Sequence, residues 1–165
     1  MPLAPAQEQN PVANATDRVF FRLLVDSYKR LLSRTPPFMT GCDGDGPHWL
    51  YRICDACVLA HTTDSDPLFI YANKAAQNLF EYDWDELVGM PPRLSAEAPN
   101  RADRQRLLDA VARDGFATGY SGVRISKSGR RFRLKDGVLW QLRDADDTLH
   151  GVAATFCNWT RLKDR

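Results

Sequence analysis

The chain has 165 residues, of which 44% are hydrophobic and 26% charged, a composition that excludes wholesale disorder and suits one globular domain. Its 22 Lys and Arg against 21 Asp and Glu leave a formal charge of +1. This excludes the basic surplus that displaces counterions from a nucleic acid, so direct nucleic-acid binding is not expected. No apolar run approaches the ~20 residues of a membrane span. The stretch from Met1 to Asn14 lacks the basic-then-apolar order of a secretory signal, so a cytoplasmic location is expected.

Residues 1–16 carry Pro2, Pro5 and Pro11 among small and polar side chains and read as a mobile tail. Thr16 or Asp17 caps a helix predicted to run to about Ser33. Val19, Phe20, Leu23, Leu24, Tyr28, Leu31 and Leu32 form one broad stripe at helical spacing, which must be buried against the same domain or a partner. Pro36 and Pro37 stop that helix, and Gly41 to Pro47 reads as a connector. Residues 17–47 are therefore taken as helix plus connector, and 48–165 as the main domain. A homodimer through the helix is the expected assembly.

Val58 to Thr62 and Leu68 to Tyr71 read as strands separated by a turn at Asp64 to Pro67. Asn73 caps a short helix, and Asp83 with Glu86 forms a capping box for the next. Pro91 and Pro92 end that one. Asn100 and Asp103 introduce the clearest helix, Arg101 to Asp114, which carries Leu107, Leu108 and Val111 on one face and stops at Gly115.

Beyond Gly115 the period falls to two. Val123 and Ile125 precede a turn at Ser126 to Gly129, and Phe132, Leu134, Val138, Trp140 and Leu142 alternate with polar residues. Asp136 sits on the apolar parity of that run, which a bulge at Asp136 and Gly137 explains. Gly151 to Trp159 is the last strand. Strands on either side of a helical middle predict an α+β domain with a five-stranded antiparallel sheet and helices on one face, plus the amphipathic N-terminal helix.

Cys54 and Cys57 form a C-x-x-C pair, with Cys42 and Cys157 elsewhere. A zinc site wants four ligands at recognisable spacing and only one such pair is present, so no metal site is assigned. A redox pair at Cys54 and Cys57, with Cys157 as a third thiol, is the alternative to plain buried cysteine. The basic residues Arg124, Lys127, Arg130, Arg131, Arg133 and Lys135 are read as a solvated sheet face or edge. No Ser-His-Asp order, phosphate loop or metal-binding His pair is evident, so an enzyme is not expected.

The segment from Pro67 to Ala76, followed by Leu79, Phe80, Glu81 and Tyr82 and by Glu86 to Gly89, resembles the front half of PAS sensor domains. Gly151 with Asn158, Trp159 and Thr160 resembles the end of the PAS sheet. Asn158 stands where Asp is usual, so the salt bridge of that Asp does not carry over. Tyr120 to Arg130, with Val138 to Trp140 and Phe156 to Trp159, is similar to the MEKHLA family, a PAS-like module found alone in bacteria and at the C-terminus of plant class III homeodomain–leucine zipper proteins. The resemblance runs from about Trp49 to Arg161 and implies a sensory or regulatory domain without catalysis, acting with a signalling protein partner. The plant DNA-binding role does not carry over, because no homeodomain or zipper heptads are present.

A PAS-like arrangement implies a small, mainly apolar ligand between sheet and helices. The candidate walls are Ile70, Leu79, Leu87, Leu107, Leu108, Ile125, Trp140 and Phe156, with Tyr71 and Asn158 as candidate polar contacts. The cofactor is left unassigned. Haem-binding PAS domains often use a histidine on the long central helix, and Arg101 to Asp114 has none. The stretch Met90 to Asn100 lacks the cysteine of light-sensing flavin domains. The remaining alternatives are the thiol switch and a ligand-free dimerisation module.

Overall fold

Helix α1 (Arg18–Leu32) begins where Asp17 caps it, the carboxylate accepting from the Phe20 amide at 2.8 Å. It ends at Ser33 in the left-handed region, with Lys29 and Arg30 in the last turn against the negative end of the helix. The computed structural model describes residues 14–96 and 101–163. Most of the expected tail, and the proposed cap Asn100, lie outside the described residues.

A 3₁₀ turn at Pro37–Met39 leads to α2 (Gly46–Arg52), a helix in what the sequence reads as the end of a connector. Gly46 and Pro47 look like breakers, but proline is tolerated in the first turn, where its missing N–H has no helical partner. Asp45 caps the helix through the His48 amide. Then come β1 (Cys57–His61), β2 (Phe69–Ala72), α3 (Lys74–Phe80), α4 (Trp84–Leu87), a 3₁₀ turn at Pro92–Ser95 and α5 (Arg101–Asp114). The chain closes with β3 (Phe116–Ile125), β4 (Arg131–Arg143), β5 (Leu149–Phe156) and β6 (Asn158–Arg161).

All strand pairs are antiparallel, in the order β2-β1-β5-β4-β3. Five strands were expected. The predicted last strand breaks at Cys157, and its second half, β6, pairs with Phe132 to Lys135 of β4. Gly151 permits the close approach of β5 to β1, since a Cβ there would lie 2.5 Å from the His61 carbonyl oxygen. The outer edge of β2 is covered by Gly89 and Met90, which exchange backbone hydrogen bonds with Phe69.

The bulge expected at Asp136 decides how β4 is used. Tyr120 pairs with Gly137 and Gly122 with Leu134, so β4 spends three residues where β3 spends two. Asp136 takes φ +56° and its side chain is exposed. One extra residue reverses the facing of everything that follows. Phe132 and Leu134 therefore pack with α3, Phe80 standing edge-on to Phe132 at 5.2 Å, whereas Val138, Trp140 and Leu142 join the core under α1.

Both faces of the sheet are thus covered. Helices α3 to α5 lie on one, and α1 lies on the other with Phe20, Leu24, Val25 and Tyr28 buried in a shared core with Val58, Ala60 and Trp140. The Trp140 ring is edge-on to Tyr28 at 5.1 Å and stacked on Phe38 at 5.8 Å, and its Nε1 donates to the Leu24 carbonyl at 3.1 Å. Ser27 Oγ donates to the Arg143 carbonyl and accepts from the Arg143 amide. Of the α1 stripe, Phe20, Leu24 and Tyr28 are buried within their own chain while Val19 stays exposed, so a homodimer through this helix would have to use Val19 and the outer face.

Asn73 ties the helical side together. Its Oδ1 accepts from the amides of Val58 and Ala76, and its Nδ2 donates to the carbonyls of Leu50 and Ala56. Glu81 accepts from Ser126 and Ser128, and Glu86 pairs with Lys127, which anchors the β3–β4 turn to α3 and α4. These hydrogen bonds hold both carboxyls below the usual carboxylate range.

Candidate functional site

A small cavity lies between the sheet and α5. Its walls are apolar side chains of both layers, among them Leu59 of β1, Phe80 of α3, Leu107 of α5, Leu139 of β4 and Phe156 of β5. Its volume is about 60 Å³. A single water needs at least ~10–15 Å³ and a benzene ring a cavity of ~150 Å³, so the space holds a group of a few heavy atoms and not a ring.

Of the residues expected to form the pocket, the structure brings Leu107, Leu108 and Phe156 to this cavity. Leu79 and Leu87 are buried beside it, in the cluster under α3 and α4. Ile70, Tyr71 and Trp140 belong to the core under α1, so they do not line the cavity. Trp140 is there because the bulge turns the second half of β4 over. Burial, with Tyr51 nearby, pushes the Tyr71 hydroxyl pKa strongly up. Ile125 is half-buried at the end of β3. Asn158 is exposed on β6 and donates to Asp136 Oδ2 at 3.2 Å, an uncharged contact where an Asp would have set two carboxylates together.

Five polar residues outside the expected pocket line the cavity, His61, Ser95, Tyr120, Arg124 and Thr155, and three of them, Ser95, Tyr120 and Arg124, are hydrogen-bonded to one another. Arg124 was grouped with the solvated basic residues, of which Arg133 and Lys135 are exposed. On β3, however, Tyr120, Gly122 and Arg124 fall at a spacing of two, opposite Leu134 and Phe132, and so face the helices. Gly122 lets the Tyr120 ring lie back along the strand, because a Cβ at that position would sit 2.6 Å from the Tyr120 hydroxyl. That hydroxyl accepts from Arg124 Nη2 at 3.2 Å, and Ser95 Oγ accepts from Nη1 at 3.3 Å while donating to the Pro92 carbonyl. The i, i+2, i+4 pattern of Tyr120, Gly122 and Arg124 was the available signal.

The thiols of Cys54, Cys57 and Cys157 lie within electrostatic reach of one another, with Cys54 and Cys57 in different cores. Cys54 sits in the core under α1, where its Sγ donates to the Phe38 carbonyl, whereas Cys57 sits in the core under α3. Burial raises the Cys54 thiol and pushes Cys57 up to about 12, leaving almost no thiolate near neutral pH. Exposed Cys157 and half-buried Cys42 are the accessible pair. Iodoacetamide on the folded protein, followed by mass spectrometry, is expected to modify Cys157 first and Cys42 more slowly. Cys54 and Cys57 should react only in denaturant; their modification at the rate of Cys157 would refute this account. Among the described residues no group of three or more His, Cys, Asp or Glu is placed to hold a metal, and no helix is long and apolar enough to cross a membrane.

Comparison with known proteins adds to this geometry. The fold is similar to a PAS domain from Colwellia psychrerythraea, with a TM-score of 0.57 at 14% identity, covering 70% of this chain and 92% of that one. It is also similar to the LOV domain of a blue-light activated histidine kinase from Erythrobacter litoralis EL346, with a TM-score of 0.53 at 15% identity, over 66% and 96% of the two chains. In sequence, it is 24% identical over 142 residues to the homeobox-leucine zipper protein ATHB-14 of Arabidopsis thaliana, covering 79% of this chain and 17% of that protein. Against HOX32 of Oryza sativa subsp. indica it is 28% identical over 94 residues, covering 57% and 11%. The chain thus spans less than a fifth of the length of these relatives. The family model of the MEKHLA domain matches residues 18–161, taking in α1 as well as the sheet.

Proposed function

Because this chain belongs to the MEKHLA domain family and has a PAS fold, we propose that it is a non-catalytic sensory domain that binds a small, mainly apolar ligand between sheet and helices. The observation that carries this reading is the cavity at the sheet–α5 interface, the position where concave apolar sites hold ligands. Its volume, about 60 Å³, suits a molecule of a few heavy atoms, well below the ~300–1,000 Å³ of a drug-sized site. A flavin ring or a porphyrin is several times larger and does not fit these walls.

Strand β4 supplies the route to an output. Leu139 lines the cavity, and the next residue, Trp140, holds α1 through the Leu24 carbonyl. A ligand that alters the packing of Leu139 acts on the strand that seats α1. The equilibrium moves only to the extent that the ligand binds one arrangement more tightly than the other. A signalling partner would then read the exposed face of α1, where Val19 is 77% exposed.

Native mass spectrometry and an absorbance scan of freshly purified protein test this reading, together with a fragment screen by thermal shift. The expected result is a small bound mass or stabilising fragments, no visible absorption band, and loss of both in Ala154→Leu, which places extra carbon in the cavity wall. Binding should also change hydrogen exchange in α1. A protein with no bound mass, no fragment hits and an Ala154→Leu variant more stable than the parent would overturn the ligand reading.

A further inference from the structure

Resting on the reading of this cavity as a ligand site, we infer that the ligand it selects is a small monocarboxylate, held by Arg124 at its acidic end and by the apolar walls along its body. Arg124 is half-buried and reaches only neutral hydroxyls, Ser95 Oγ and Tyr120 Oη. Two of its five N–H donors are used there, leaving the rest of the fork to be satisfied. Among the described residues no Asp or Glu forms a salt bridge with Arg124, so its charge is met by solvent from the neighbouring cleft and is open to an acidic ligand.

The surroundings sharpen the choice. Among the described residues, no Asp or Glu lines the cavity. A wider polar cleft of about 720 Å³ shares Leu108, Tyr120 and Arg124 with it as common walls. The described acids along that cleft are Asp64, Asp66, which pairs with Arg93, and Asp103, which pairs with Arg106. Arg124 therefore stands where the apolar space meets a hydrated one, and the planar guanidinium matches a carboxylate with two parallel hydrogen bonds. At about 60 Å³ the cavity is under half of the ~150 Å³ that takes a benzene ring, which limits the body of the ligand to a chain of a few carbons. Ser95 and Tyr120 hold the guanidinium in place, and Gly122 gives the Tyr120 ring its room.

Titration of the full chain with propionate and butyrate, and with the neutral amides propionamide and butyramide, followed by two-dimensional NMR, tests the assignment. The acids are expected to bind at least tenfold more tightly than the amides, consistent with the greater strength of charge-assisted hydrogen bonds. Shifts should centre on the amides of Leu107, Leu139 and Phe156. Arg124→Gln should bring the acids down to the level of the amides, with the acids losing far more affinity than the amides. Arg124→Lys, which keeps the charge and loses the fork, should fall between. Equal binding of acids and amides by both forms would overturn the carboxylate assignment and leave the cavity reading standing. Failure of all four probes to shift the cavity residues would overturn both.

Discussion

Replacing Trp140 by Ala is expected to cost ~4 kcal/mol of folding stability and to free α1 from the sheet. The ring is fully buried, packs on Tyr28 and Phe38, and spans the boundary between α1 and β4. Truncating a buried Trp removes its transfer energy and leaves a cavity, together worth ~3–5 kcal/mol. The lost hydrogen bond is the lesser part, since the Leu24 carbonyl also serves the helix. As a domain holds only ~5–15 kcal/mol in all, the variant should unfold at a much lower urea concentration. Trp140→Phe keeps most of the packing and should lose less. Hydrogen exchange distinguishes this position from an ordinary core site, because α1 amides should lose protection ahead of the β1–β5 amides. A loss below 1 kcal/mol, or α1 protection unchanged, would contradict the assignment of this side chain as the anchor of the helix.

Asn73→Ala is expected to be comparably damaging for a different reason. The side chain uses all its capacity, two donors and two accepting positions, on four backbone groups from α2, the segment before β1, β1 itself and α3. Alanine removes little volume but strands buried polar groups at ~1–3 kcal/mol each and deletes a helix cap worth ~1 kcal/mol. With partial relaxation, a loss of ~3–5 kcal/mol follows. Asn73→Asp separates the hydrogen-bonding account from shape. An ionised carboxylate would face the carbonyls of Leu50 and Ala56, which raises its folded-state pKa above the unfolded value. The folded form then holds the proton longer, so stability falls as pH rises from ~4 through that raised pKa. Urea midpoints of Asn73→Asp at pH 4 and pH 7 check the sign; a variant more stable at pH 7 relative to the parent would exclude the geometry described.

Much of this fold was legible because it is local. Asp17, Asn73 and the Asp83–Glu86 box each act on an amide within three residues, so their helix starts follow from sequence. The end of α5 at Gly115 was as plain. Missed elements had misleading local signals. Gly46 and Pro47 hid α2, and Gly119 and Gly122 hid the first half of β3, which starts at Phe116. Of the pocket residues chosen for apolar character alone, Leu107, Leu108 and Phe156 reach the cavity. Apolar character says that a residue is buried and is silent on which side of the sheet.

The amino-acid order by itself determined most of the elements with their caps and breakers, the antiparallel α+β class and the family likeness, since each depends on neighbours in the chain or on motifs in one order. Only the tertiary structure decided the two sides of the sheet. Strand facing alternates with every residue, so the one-residue bulge before Val138 sends Trp140 to α1 and leaves Leu139 in the cavity wall. Arg124 turns inward because its register with Phe132 puts it there, and α1 closes on its own sheet because Trp140, Tyr28 and Phe38 meet. Register and cross-sheet packing join residues far apart in sequence, which no local pattern can encode.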